Sequence, residues 1–143
     1  MGPRMPYSCP GTRATSRPDL EIEVQQLAPR EPVWVAADAS VGEAARTMRR
    51  ERISSLLVRT DPPGILTDRD LRGRILGAGL GPGEPVTSVF SQPLVMVPGE
   101  TPLYDAWAIL LEHGMHHLPV TRDGEIIGVL TSTDVLRSTS QGP

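Results

Sequence analysis

The chain has 143 residues, a formal net charge of −3, and 38% hydrophobic but only 3% aromatic residues. Such a chain suits one domain or two small units with an aliphatic core. With no long basic run it offers nucleic acid no electrostatic footprint. No stretch approaches the ~18 apolar residues that mark a membrane span. The lone Cys9 can form neither an internal disulfide nor a cysteine-rich metal site. A reducing cytoplasm is the expected compartment.

Residues 1–19 mix Pro, Gly, Ser, Thr and Arg without period and are expected to form a flexible tail. Leu20, Val24 and Leu27 are spaced for a short helix over about 20–28, which Pro29 and Pro32 end. Val33-Trp34-Val35 reads as a strand. Ser40-Val41-Gly42-Glu43 is a capping box opening a helix whose apolar stripe is Val41, Ala44, Ala45 and Met48. Arg46, Arg49 and Arg50 fall on its solvated side. Leu56-Leu57-Val58 is a buried-type strand, and Thr60 to Gly64 is a turn cluster. Ile65-Leu66 then leads into Thr67-Asp68-Arg69-Asp70 and a helix to about Leu76. Gly77 to Pro85 is glycine- and proline-rich and reads as a connector, and Val86, Val89 and Phe90 suit one helical turn before Pro93.

The pattern then restarts. Leu94-Val95-Met96-Val97 is a strand, and Thr101-Pro102 is an N-cap followed by proline at the first helical position. Leu103, Ala106, Trp107, Leu110 and Leu111 form a core-facing stripe, and Gly114 is placed to end the helix. Leu118-Pro119-Val120 and Ile126-Ile127 are strands about a hairpin turn at Arg122 to Glu125. Thr131-Ser132-Thr133-Asp134 opens a last helix, and 138–143 is a polar tail.

The restart is an internal repeat. Val41 maps to Leu103, Met48 to Leu110 and Val58 to Val120, each 62 residues on; Thr67 maps to Thr131 and Asp70 to Asp134, each 64 on. The two-residue difference falls at the hairpin, where insertions are tolerated. The organisation is a tail (1–19), a first repeat (20–76), a linker (77–92), a second repeat (93–137) and a tail (138–143). Each repeat reads strand, helix, strand, strand, helix, so the fold class is α/β, with two β-α-β-β-α units packed through their sheets about a pseudo-two-fold axis. The doubled Gly-h-h-Thr-x-x-Asp (h, aliphatic) is a strand end followed by a helix start, Thr as N-cap and Asp at the third helical position. Such a junction aims free backbone N–H groups and a positive dipole end outward, which suits a phosphate. Bordering a cleft between repeats, it is a reasonable ligand site.

In order and spacing, the two copies resemble a tandem of cystathionine-β-synthase-type (CBS) domains, a Bateman module, over roughly residues 20–137. Ile53 to Val58, Met115 to Val120 and the two Gly-h-h-Thr-x-x-Asp stretches carry the likeness. The wording of Asp68 to Arg74 and Gly114 to Pro119 is similar to bacterial signalling proteins that join such a pair to cyclic-nucleotide-binding and nucleotidyltransferase-like domains. The resemblance implies regulation and no catalytic residues. The implied ligand is AMP, ADP, ATP or S-adenosylmethionine, with no further cofactor or metal. It implies that Asp70 and Asp134 hold ribose hydroxyls, that Thr67 and Thr131 lie near ribose or phosphate, and that Val35, Ala36, Val97 and Pro98 face the adenine. His116 occupies a position that often faces phosphate in the family, and its counterpart in the first repeat is Ser54. Arg69 could reach a phosphate bidentately, or be an exposed first-turn arginine. Two unequal sites are expected, the one bearing His116 holding phosphate more strongly at lower pH.

Simpler readings stand beside this one. Each Thr-x-x-Asp is a capping box whether or not it binds anything, and the chain is then a structural dimerisation module; a homodimer is the expected assembly under either reading. His113, His116 and His117 form H-x-x-H-H, but zinc needs three or four converging ligands and no cysteine is near. A metal-dependent hydrolase is the third reading. No nucleophile elbow or metalloprotease pattern supports an enzyme. Trp34 and Trp107 read as core or dimer contacts rather than base-stacking platforms. A regulated partner protein or domain is expected under the sensing reading.

Overall fold

A computed structural model describes residues 18–140 of the chain. The flexible tail expected over 1–19 lies outside the described residues except for its last two, which open a helical turn, α1 (Pro18–Glu21). The chain divides into two compact units. One is Glu31–Val95; the other joins the described residues up to Arg30 with those from Met96 onward.

The Glu31–Val95 unit holds a three-stranded sheet in the order β1 (Trp34–Ala36), β2 (Ser55–Arg59), β3 (Gly64–Thr67). β1 and β2 are parallel, and the eleven-residue helix α2 (Val41–Glu51) connects them. β2 and β3 are antiparallel, with Ser55 opposite Thr67 and Val58 opposite Gly64. α2 opens on the expected capping box: Ser40 Oγ accepts from Glu43 N at 3.1 Å, and Glu43 Oε1 accepts from Ser40 N at 2.9 Å. Its buried stripe is Val41, Ala44 and Met48, packed with Leu56, Val58, Leu66, Ile75, Val86 and Val89. Ala45, expected in that stripe, is exposed instead, one position round from Ala44, where a methyl adds little to the core. The helix after β3 is one α-helical turn, α3 (Asp68–Asp70), running into a π-helical turn over Leu71–Leu76. Trp34 is half-buried, with the Arg59 guanidinium 4.8 Å from its ring centre, a cation–π contact.

The other unit repeats the plan: β4 (Val97–Pro98), α4 (Leu103–His113), β5 (His117–Arg122), β6 (Glu125–Thr131), α5 (Ser132–Ser140). β4 pairs parallel with β5, and β5 antiparallel with β6. Asp123 and Gly124 make a two-residue turn with both φ values positive (51° and 81°), the conformation tight hairpins favour. The two extra residues of this repeat therefore lengthen the ladder, and the loop itself is shorter than Thr60–Pro63.

Five expectations are corrected. The strand expected over Leu94–Val97 is only Val97–Pro98, because the chain spends the preceding residues passing from one unit to the other. The N-cap of α4 is Pro102, not Thr101, and has no side-chain cap. Leu111 is 64% exposed, while Leu103, Ala106 and Leu110 alone form the buried stripe. The expected helix over 20–28 is broken into α1 and a 3-10 turn, Val24–Leu27; at the other end α5 takes in residues 138–140 of the expected tail.

Each unit is completed by an arm. In the second unit, Val24 is fully buried and its N–H donates to Thr101 O at 2.9 Å. Leu103 N donates to Ile22 O (2.8 Å), and Arg30 exchanges two backbone bonds with Val129 (3.2 and 2.8 Å). In the first unit, Val86 is fully buried, Val41 N donates to Glu84 O (2.7 Å), and Ser91 exchanges two bonds of 2.9 Å with Ile65. The pairs Ile22/Glu84, Val24/Val86 and Leu103/Val41 all differ by 62, so the two arms are equivalent pieces of the repeat. Each packs on the sheet that its own following strands do not build. The glycine of Gly-h-h-Thr-x-x-Asp exists for this crossing. A Cβ on Gly64 would stand 2.8 Å from Ser91 O, and one on Gly128 2.7 Å from Pro29 Cβ.

Candidate functional site

The two Thr-x-x-Asp junctions close as reciprocal capping boxes. In the first, Thr67 N donates to Asp70 Oδ2 (2.9 Å), Thr67 Oγ1 to the same oxygen (3.1 Å), and Asp70 N to Thr67 Oγ1 (3.2 Å). In the second, Thr131 N donates to Asp134 Oδ2 (3.0 Å) and Asp134 N to Thr131 Oγ1 (3.1 Å). One carboxylate oxygen is thus committed to the cap in each copy. The other faces an arginine: Arg74 Nε is 3.8 Å from Asp70 Oδ1, and Arg137 Nη1 is 3.7 Å from Asp134 Oδ1.

Ser54 and His116 hold equivalent places. Asp68 N donates to Ser54 O, and Ser132 N to His116 O, both at 3.0 Å. This modifies the expected anion site. Of the first-turn amides, the first and third are already bonded in both copies, by the carbonyl of residue 54 or 116 and by the threonine hydroxyl. The outward array of free N–H groups read from the sequence is therefore reduced. His116 is exposed, and its Nδ1 lies 3.2 Å from Ser132 Oγ, so a hydroxyl from the junction itself orients the ring.

The structure gathers Ser54, Thr67 and Asp70 at one end of the first sheet, and His116, Thr131 and Asp134 at the matching end of the second. Arg69 lies on the exposed side of its turn, with Thr133 at the same place in the other copy. Val35 and Ala36 are not brought to Thr67 and Asp70 within their unit. Ala36 pairs with Arg59 and Thr67 with Ser55, at opposite ends of β2, about 13 Å apart at strand rise. Val97 and Pro98 are displaced likewise: Pro98 is opposite Thr121, and Thr131 opposite His117. The three histidines do not converge. His113 Nδ1 is 3.0 Å from Ile109 O, and among the described residues no three His, Cys, Asp or Glu side chains form a metal-binding group.

Two residues at the junctions escape a reading of the sequence for motifs, Arg74 and Ser132. For Arg74 the signal was present as an i, i+4 spacing from Asp70. For Ser132 there was none, since its partner His116 is brought to it only by the pairing of β5 with β6.

The CBS domain family profile matches residues 24–77 and 86–140, and the chain belongs to that family. It is a tandem pair of CBS domains. An uncharacterized protein of Methanopyrus kandleri is 28% identical over 81% of this chain and 62% of its own length. The choline transport ATP-binding protein of Bacillus subtilis is 32% identical over 85% of this chain and 32% of its own. The chain thus spans less than two thirds of these relatives. A CBS-domain protein of Agrobacterium tumefaciens superposes with a TM-score of 0.75 at 25% identity, covering 83% of this chain and 94% of that one. A CBS domain protein of Pyrobaculum aerophilum complexed with AMP does so at 0.71 and 23%, over 85% and 100%. Among the described residues no helix is long and apolar enough to cross a membrane.

Proposed function

We propose that the chain is a regulatory module that senses an adenosine-containing ligand, AMP, ADP, ATP or S-adenosylmethionine, and acts on a partner through conformational change or dimerisation. The observation that carries this reading is the doubled carboxylate. Asp70 and Asp134 are each fixed by one oxygen in a cap, which leaves the second oxygen as an acceptor for a ribose cis-diol. Thr67 and Thr131 lie at the ribose or phosphate, His116 and Arg69 at phosphate oxygens, and Ser54 at the neutral equivalent of His116. The Pyrobaculum relative with AMP supports the ligand class. The cytoplasm, rich in adenine nucleotides, is the compartment the reading fits. Titration calorimetry with the four ligands tests it. Saturable binding that weakens in Asp70→Ala or Asp134→Ala upholds it; no heat with any of them overturns it.

A second reading, a structural homodimer without ligand, has its own support. α4 carries Tyr104 (49% exposed), half-buried Trp107 and Leu111 along one outer stripe, and Leu136 on α5 is 54% exposed. Solvated apolar side chains at helical spacing suit an interface. A dimer in sedimentation that Leu111→Arg dissociates, with calorimetry silent, would establish it.

A further inference from the structure

Arg74 stands between the first junction and the arm that crosses it. Its Nε lies 3.8 Å from Asp70 Oδ1, and its Nη1 donates to the backbone carbonyl of Val89 at 3.0 Å. Val89 is buried in the core beside Val86. One guanidinium therefore ties the carboxylate to a fixed point of the arm. Asp70 itself is held at both ends, Oδ2 by the Thr67 amide and hydroxyl and Oδ1 by Arg74. Its side chain is 13% exposed, against 32% for Asp134. A carboxylate whose plane is set before a ligand arrives does not lose rotamer freedom on binding, and a planar fork with several donors can hold it while bonding elsewhere.

We propose that Arg74 is a positioning residue of the first junction: it orients Oδ1 of Asp70, the oxygen the cap does not use, toward a ribose diol and makes diol recognition there depend on docking of the 82–92 arm. This rests on the adenosyl reading above and adds the group that sets its selectivity. The exposed guanidinium contributes little as an ion pair alone; its effect lies in orientation.

The test is calorimetry of adenosine against 2′,3′-dideoxyadenosine, in a chain carrying Asp134→Ala so that the first junction is read. That background should prefer adenosine. Arg74→Ala should cut the preference by about threefold to tenfold, the ordering cost of one side chain that is no longer held before the diol binds. Arg74→Lys should restore part of it, since an ammonium keeps the charge but lacks the fork. Equal loss of affinity for both compounds in Arg74→Ala would mark a merely structural role and overturn the proposal, as would unchanged preference. Should Arg74→Ala not fold, Arg74→Gln takes its place with the same two outcomes. A background chain that binds neither compound, while intact protein binds adenosine, also overturns it and leaves the adenosyl reading standing. Intact protein that binds no adenosyl ligand overturns both.

Discussion

Gly128 lies against Pro29 so closely that a Cβ on the glycine would meet the proline Cβ at 2.7 Å and the Arg30 carbonyl oxygen at 3.0 Å. Gly64 is in the same position beneath Phe90 and Ser91. At Gly128 the obstructing atoms are the Pro29 ring and two backbone carbonyl oxygens, and at Gly64 the Phe90 ring is backed by the Ser91 carbonyl oxygen; the backbone atoms cannot swing aside. Gly128→Ala and Gly64→Ala should each destabilise by about 1–3 kcal/mol, the usual cost of overpacking. Denaturant unfolding measures it. Gly73→Ala, with open space around its Cβ position, is the control.

Arg52 ends α2 in the left-handed region (φ 59°), where Gly114 ends α4 (φ 61°). They are equivalent positions of the repeat, 62 apart. A side chain there costs about 1–2 kcal/mol, and glycine returns part of that through its freer unfolded chain. Arg52→Gly should raise stability by about 0.5–1 kcal/mol, and Gly114→Ala should lower it by about 1 kcal/mol. A fall in thermal midpoint for Arg52→Gly would refute the assignment.

Glu43 carries a pH dependence. The Ser40 N–H, then its hydroxyl, then Arg46 favour the carboxylate, and hold its pKa below the ordinary glutamate value of 4.5. A depressed folded value stabilises above the unfolded pKa and is lost as pH falls through the lower, folded one. Stability should therefore decline just below pH 4.5 through this group. Glu43→Gln, which keeps an acceptor but does not titrate, should flatten that part of the acid flank. A profile identical to the parent's would exclude the contribution.

Capping and ligand binding can be separated. Thr67→Ala and Thr131→Ala each remove a cap acceptor and should cost about 1 kcal/mol of stability. Asp70→Asn and Asp134→Asn keep an oxygen for the cap and should cost less, yet they remove the charge a diol would bond. If the junctions bind nothing, the asparagine variants will match the parent in every ligand titration.

The repeat, the order of its elements and both capping boxes were legible because they are local: a hydrophobic period and a cap need only neighbouring residues. The glycine of the motif was visible as a strand end, but its cause was not, since Pro29 and Phe90 reach it through tertiary packing. Misplacement of Leu94 to Met96 has the same origin. β-type residues there have no neighbouring strand, and periodicity does not report pairing. Leu111 fits a helical stripe one residue wider than the one α4 buries. That Val35 and Ala36 lie at the opposite end of β2 from Thr67 was not legible, because register is invisible until the strands are paired. Arg74 was legible as a spacing, but its bond to Val89 was not.

The two arms make the halves of the chain incomplete in a complementary way. Cut between Gly77 and Gly81, the chain would yield one fragment with the first sheet and the arm of the second, and another with the reverse. Each would lack the residue, Val86 or Val24, that seals its own core. Such fragments are expected to gain cooperative unfolding only when mixed, as reconstituting partners, and two repeats in one chain are then the smallest piece of this sequence that can stand alone.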